Sequence, residues 1–364
     1  MFSMRLPTPS HSRSRSRLLP LLTLCNLYLL HSTNASPVQH NHVNVNVVSR
    51  TVEPAPVQSI VDTLLTGNGS SNPTAEGQVP DKAGSVTVLS SNEVNGFTPF
   101  THYASTAYCD PKTTINWSCG SWTMRTANCE ANPDFQPIAS GGNGGTEQLW
   151  YVGYDKKLNT VVVAHQGTDT SMLAAVATDA LFVLSPLVDK SFFPGLNLGI
   201  QVHTGFKLAH ERTANEVLSA VQTAMKQFGT AHVTVVGHSL GAALGLLDMV
   251  YFPLHLPSST TYDFYGYGMP RVGNQAFANY VDANVKGVRR VNNKRDLVPV
   301  IPLRLMAFRH PSGEKHILDS GEWVACSGQE NTAANCTLGY VPTIFNGDAD
   351  DHSGPYDGIT MGCD

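Results

Sequence analysis

The feature that most constrains how this chain can fold is five residues long. Gly237-His238-Ser239-Leu240-Gly241 follows directly on the apolar run Val233-Thr234-Val235-Val236 and directly precedes a helical pattern. A serine between two glycines at a strand-to-helix turn is held out at the tip of a strained bend, because the glycines let strand and helix approach closely. Ala242, Ala243 and Gly245 carry that small-residue packing into the helix. The first amides of the helix face the space above Ser239, so the Leu240 N–H can donate to an oxyanion formed when the hydroxyl attacks a carbonyl.

The flanking sequence supplies a sheet to carry such a turn. Strand patterns at residues 148–154 and 160–165 are followed by a helix over 206–228, with Leu208, Val217, Leu218, Val221 and Met225 on one broad face. Then come a strand at 232–236, a helix at 240–251, a strand at 262–267, a helix at 274–283 and a strand at 288–292. This alternation predicts an α/β fold, a mostly parallel central sheet with helices on both faces. No fixed-period repeat is present, which excludes a solenoid.

A serine hydroxyl needs a histidine to take its proton and an acid to orient that histidine, and in folds of this kind both follow the serine in the chain. Asp248 sits inside the helix and points away from the turn, and Asp263 begins its strand at the wrong sheet edge, since reactive groups gather at strand carboxyl ends. Asp296 follows strand 288–292 by a short polar turn and is the expected acid. Of the later histidines, His316 reads as the start of a strand over 317–323, and His310 as at most an orienting neighbour. His352, in the polar loop 347–354, is the expected base. Asp348, Asp350 and Asp351 in that loop are oxygen ligands, but the glycine and bidentate glutamate of a calcium loop are missing, so no metal is expected. A second oxyanion donor is expected from the strand end Val161 to Thr168, at the Thr168 N–H, while His203 reads as structural.

Composition narrows the context. Only 14% of the 364 residues are charged, against about 25% in an average soluble domain. The first 35 residues hold Arg5, Arg13, Arg15 and Arg17 and no acid, which leaves 19 basic and 28 acidic residues and a net charge of −9 for the remainder. Nucleic acid is thereby excluded as a partner. The basic start, the 13-residue apolar run 18–30 and the small residues around Ala35 read as a cleavable secretory signal, residues 1–35, too short for a membrane anchor. Residues 36–85, rich in Asn, Ser, Pro and Gly, read as a propeptide or loosely ordered arm, and 86–364 as the catalytic domain. Beyond Cys25 six cysteines remain, which suggests three disulfides in an oxidising compartment. The local pairs Cys119–Cys129 and Cys326–Cys336 are plausible among 15 pairings, and would leave Cys109 and Cys363. The sequons at Asn68, Asn116 and Asn335 are candidate glycan sites.

Taken together the motifs resemble the class 3 lipase family, the secreted fungal lipases and related feruloyl esterases. The resemblance covers roughly residues 100–363. It rests on Tyr103 to Cys109, the Gly167-Thr168 turn, Val202-His203-Thr204-Gly205-Phe206, the serine turn, Tyr267 to Asn274, Asp296-Leu297-Val298-Pro299 and the late His352. It implies an α/β-hydrolase with the triad Ser239, Asp296 and His352, oxyanion donors Thr168 and Leu240, a Cys109–Cys363 disulfide and no cofactor. Where many relatives have Phe-Arg before the glycine of the oxyanion strand, this chain has His165-Gln166. The resemblance also implies a short amphipathic lid, for which residues 171–182 are in place, and with it transient contact with a lipid surface; the alternative reading of 171–182 is a buried core helix. The expected activity is secreted hydrolysis of carboxylic esters, most of all water-insoluble acylglycerols. The rivals are an esterase for feruloylated or other soluble substrates and a non-catalytic binding protein of the same fold.

Overall fold

A computed structural model describes residues 83–120, 129–168 and 182–363. The expected signal, most of the expected arm and residues 171–181 of the expected lid lie outside these. The described elements form a nine-stranded sheet in the order β1-β13-β12-β10-β8-β7-β4-β3-β2. Its strands are β1 Val86–Val88, β2 Phe135–Gly141, β3 Trp150–Asp155, β4 Thr160–His165, β7 His232–His238, β8 Thr261–Tyr267, β10 Val288–Asn293, β12 Glu314–Ile317 and β13 Trp323–Cys326. The five central strands, β4, β7, β8, β10 and β12, pair in parallel. The outer pairings are antiparallel. A small second sheet joins β5 Leu184–Pro186, β6 Gln201–His203, β9 Gly273–Asn274 and β11 Phe308–Arg309.

Strand alternation divides the core between the two faces. Val161, Val163, Val233 and Val235 join one apolar cluster, while Val162, Ala164 and Val236 join the other. Successive side chains on a strand point to opposite faces, so a run of valines fills both. Four helices cover them: α1 Thr98–Thr106, α2 Thr204–Phe228, α3 Leu240–His255 and α4 Gln275–Asn284. On one face Phe100, Tyr103 and Ala104 of α1 pack with Val236 and Tyr265. On the other, Val217 and Val221 of α2, Ala242, Leu246 and Val250 of α3 and Phe277 of α4 pack with Val233 and Phe264. The α/β-hydrolase expectation of a mostly parallel sheet covered on both sides is met.

Two local expectations are corrected. Residues 317–323 are not one strand: Ile317 ends β12, Gly321 turns with φ +82°, and Trp323 begins β13, so the hydrophobic run is a hairpin. Leu208 does not share the buried face of α2 and is half-exposed.

Cysteines 109 and 363, 119 and 129, and 326 and 336 are disulfide-bonded. The first ties the C-terminal segment to the end of α1. There the Ser105 hydroxyl reaches the carbonyls of Thr360 and Gly362 at 2.9 and 3.1 Å. Because this bridge closes a loop of 254 residues, replacing both Cys109 and Cys363 by serine should cost about 2–5 kcal/mol of stability. Denaturant unfolding of the two proteins would measure it.

Candidate active site

Ser239 stands between β7 and α3 with φ 56° and ψ −127°, a positive φ in a non-glycine residue. Such strain persists only where neighbours enforce it. Here the Ser239 N–H donates to the Tyr267 carbonyl at 2.9 Å. A Cβ at Gly237 would lie 2.4 Å from the Gly241 backbone, and one at Gly241 would lie 2.1 Å from the His165 carbonyl. Only glycine fits at either place, so strand, turn and helix lock together. The Ser239 hydroxyl makes no capping bond at the start of α3. It is left for other chemistry, and the leading amides of α3 have no acceptor within the helix.

His352 and Asp296 meet across 56 residues of sequence. The imidazole Nδ1 lies 3.0 and 2.9 Å from the two carboxylate oxygens, with both residues fully buried. Asp296 Oδ1 also accepts from the Val298 N–H at 2.9 Å. Nδ1–H donation to Asp296 leaves Nε2 as the basic nitrogen, and Nε2 is buried with no hydrogen-bond partner among the described residues. No hydrogen bond joins it to Ser239 in this state; such bonds often tighten only around substrate. The two residues nevertheless share neighbours. Tyr267, whose carbonyl holds Ser239, is followed by Gly268, where a Cβ would meet Asp296 Oδ2 and His352 Cε1 at 2.9 Å.

His238, beside the serine, is not among the sequence expectations and braces His352 from behind. Its ring lies 4.4 Å from that of His352. Its Nε2–H donates to the His352 carbonyl at 2.8 Å, and its Nδ1 then accepts from the Tyr108 hydroxyl at 2.5 Å. Burial, reinforced by His352 alongside, pushes the His238 pKa well below the ordinary imidazole range and keeps the ring neutral. The Tyr356 hydroxyl donates to the same His352 carbonyl at 3.0 Å. Tyr108 lies within the sequence motif 103–109, but nothing in its spacing signals a partner 130 residues away.

The other candidates fall elsewhere. His310 bonds the Pro299 carbonyl through Nε2 at 2.8 Å, in the turn that follows Asp296. His316 is a buried β12 residue bonded to the carbonyls of Asn335 and Lys294. Asp263 pairs with Arg289 and His232. Asp348 and Asp351 accept backbone N–H groups of Asp350 and Arg295. Asp248 does point away from the serine, but into a buried histidine pair.

Beside Ser239 lies a pocket of about 230 Å³ lined by Thr168, Phe182, His203, Phe206, Pro270 and Ile301, among others. His203 caps the start of α2, its Nδ1 accepting the Phe206 N–H at 3.3 Å, and it also lines this wall. Burial lowers its pKa to about 4 and so leaves the wall uncharged at neutral pH. Another wall is set from below by Arg271, which bonds the Val300 and Pro302 carbonyls and forms a two-pronged pair with Glu330 at 2.8 and 2.9 Å.

A central parallel sheet that presents a strained serine between strand and helix, with a buried histidine–carboxylate pair nearby, defines an α/β-hydrolase. Residues 162–306 match the family model "Lipase (class 3)". The chain is 32% identical over 219 residues to a secreted mono- and diacylglycerol lipase of Malassezia globosa, covering 59% of this chain and 69% of that protein. It is 30% identical over 296 residues to a lipase of Rhizomucor miehei, covering 79% and 76%. The solved structure of lipase II from Rhizopus niveus superposes with a TM-score of 0.65 at 28% identity, over 76% of this chain and 99% of that one. The chain belongs to the class 3 lipase family and is a carboxylic ester hydrolase.

The Arg271–Glu330 pair makes stability pH-dependent. Burial alone would raise the Glu330 pKa, but Arg271 outweighs it and holds the group at about 2, against 4.5 unperturbed. A carboxylate lowered on folding contributes fully above pH 4.5, and that contribution is lost as pH falls toward about 2. Glu330→Gln leaves a buried guanidinium without its counter-charge and should cost about 3–5 kcal/mol at neutral pH. It should also flatten the acid limb of a melting-temperature profile.

Proposed function

We propose that this is a secreted acylglycerol lipase that works through an acyl-enzyme on Ser239. His352 Nε2 takes the Ser239 proton as Oγ attacks the ester carbonyl, and Asp296 holds the imidazole in the Nδ1–H tautomer. The amides of Leu240 and Thr168 stabilise the oxyanion. The alcohol leaves with the proton from His352, and water then repeats the sequence to release the fatty acid.

The observation that carries the lipid reading is the apolar, uncharged pocket against Ser239. Its surroundings agree. Val183, Leu208 and Leu305 are each at least half exposed, and each lies within three residues of a pocket-lining side chain. Exposed apolar side chains on the segments that line the pocket suit transient contact with a lipid surface. The relatives' names point to mono- and diacylglycerols, whose acyl chains are apolar like the pocket lining. Among the described residues no helix is long and apolar enough to cross a membrane. Of the three sequons, Asn116 and Asn335 are exposed and so open to glycans, and Asn68 lies outside the described residues.

A panel of emulsified mono-, di- and triacylglycerols, methyl ferulate and a short soluble ester, run on wild type and Ser239→Ala, tests this. Hydrolysis of acylglycerols above methyl ferulate by at least tenfold is expected, with Ser239→Ala reducing every rate by about 10⁴ or more. Preference for methyl ferulate would favour the feruloyl esterase reading, and preference for the short ester a soluble esterase. Failure of an organophosphonate to label Ser239 would point to a non-catalytic binding protein.

A further inference from the structure

Away from the triad the protein buries a second set of imidazoles around one carboxylate. His165 Nε2 lies 2.6 Å from Asp248 Oδ2, and His210 Nε2 lies 2.8 Å from Oδ1. None of the three is more than 2% exposed. Both Nδ1 atoms are buried with no partner among the described residues, so Asp248 is the single polar tie of each ring. Burial alone would raise the Asp248 pKa, but the two imidazoles outweigh it and hold the group below its ordinary value. A buried carboxylate is costly unless fully hydrogen-bonded, and apolar side chains would pack this space at lower cost.

Its position explains what the set can do. His165 is the last residue of β4, three before Thr168. Its carbonyl presses on Gly241 in the first turn of α3, and its ring reaches Asp248, two turns further along the same helix. The strand end is therefore gripped twice by the helix that carries the nucleophile. Beyond it Gln166 accepts from the Leu149 N–H at 3.0 Å, and Gly167 packs against Ser239 and Tyr108. The chain then arrives at Thr168 on the pocket wall.

We propose that His165, anchored by Asp248, is a positioning residue that fixes the Thr168 amide against the oxyanion, while His210 serves only to hold Asp248. The proposal rests on the reading of Ser239 and Thr168 given above. Losing an oxyanion donor outright costs 10²–10³ in turnover, so loosening one should cost about tenfold.

The test uses the full chain, p-nitrophenyl butyrate as soluble substrate, paraoxon labelling of Ser239, and thermal melting. His165→Phe keeps the ring volume and cuts the tether. It should lower kcat about tenfold with KM within twofold, and slow labelling in proportion. His165→Gln, whose side-chain amide can reach Asp248, should restore most of the loss. His210→Phe should lower the melting temperature while leaving kcat within twofold. If His165→Phe does not fold, Asp248→Leu, which offers neither ring a hydrogen-bond acceptor, carries the same kinetic expectation. Wild-type kcat in the folded tether variant, or an equal kcat loss in His210→Phe, would overturn the proposal in favour of a purely structural cluster. Ser239→Ala in the same assay separates the two readings, since turnover surviving there rejects the nucleophile itself, whatever His165 does.

Discussion

Everything at this site depends on how closely backbone approaches backbone around Ser239. The turn from β7 into α3 is affordable only because Gly237 and Gly241 put no Cβ where the helix and the β4 strand end press together. A positive φ at a serine stores strain that the surrounding contacts must hold. The Tyr267 carbonyl, the His165 carbonyl and the packing of Gly167 supply those contacts from three neighbouring segments. The same compression delivers the hydroxyl, the α3 amides and the Gly167-Thr168 turn to one small volume.

Around that point the protein places imidazoles in distinct surroundings. His352 is held at Nδ1 by a carboxylate and leaves Nε2 unpartnered. His238 has both ring nitrogens occupied and is kept neutral by burial. His203 lines the apolar pocket, and His165 and His210 flank a buried aspartate. Identity of side chain therefore says little about role. The partner at each nitrogen decides whether a ring can accept a proton, brace a backbone carbonyl or tie two elements together.

Much of this was legible before any coordinates. Alternating apolar patterns located β4, β7, β8, β10 and helices α2 to α4 to within a few residues, because each must bury a face with its own period. The pattern over 317–323 predicts one strand where the protein has a hairpin, since an apolar run does not reveal where a glycine reverses it. Helical spacing places Leu208 on the core face, because spacing defines a face but not how far along the helix that face stays covered. Elimination points to Asp296 and His352 as the candidate acid and base, because chain order and sheet edge restrict the choice. Asp248 points away from the serine, as its place in the helix predicts, but no local pattern signals the two buried histidines that meet it.

The sequence by itself determined the parallel α/β frame, the strained serine turn and the short list of acids and bases that could serve it. These are local properties: periodicity, glycine spacing and order along the chain. Only the tertiary structure decided which nitrogen faces which oxygen. Contacts such as Tyr108 with His238, Arg271 with Glu330 and His165 with Asp248 join residues 59 to 130 positions apart. Their partners are chosen by how strands and helices stack, and no short-range pattern encodes that choice.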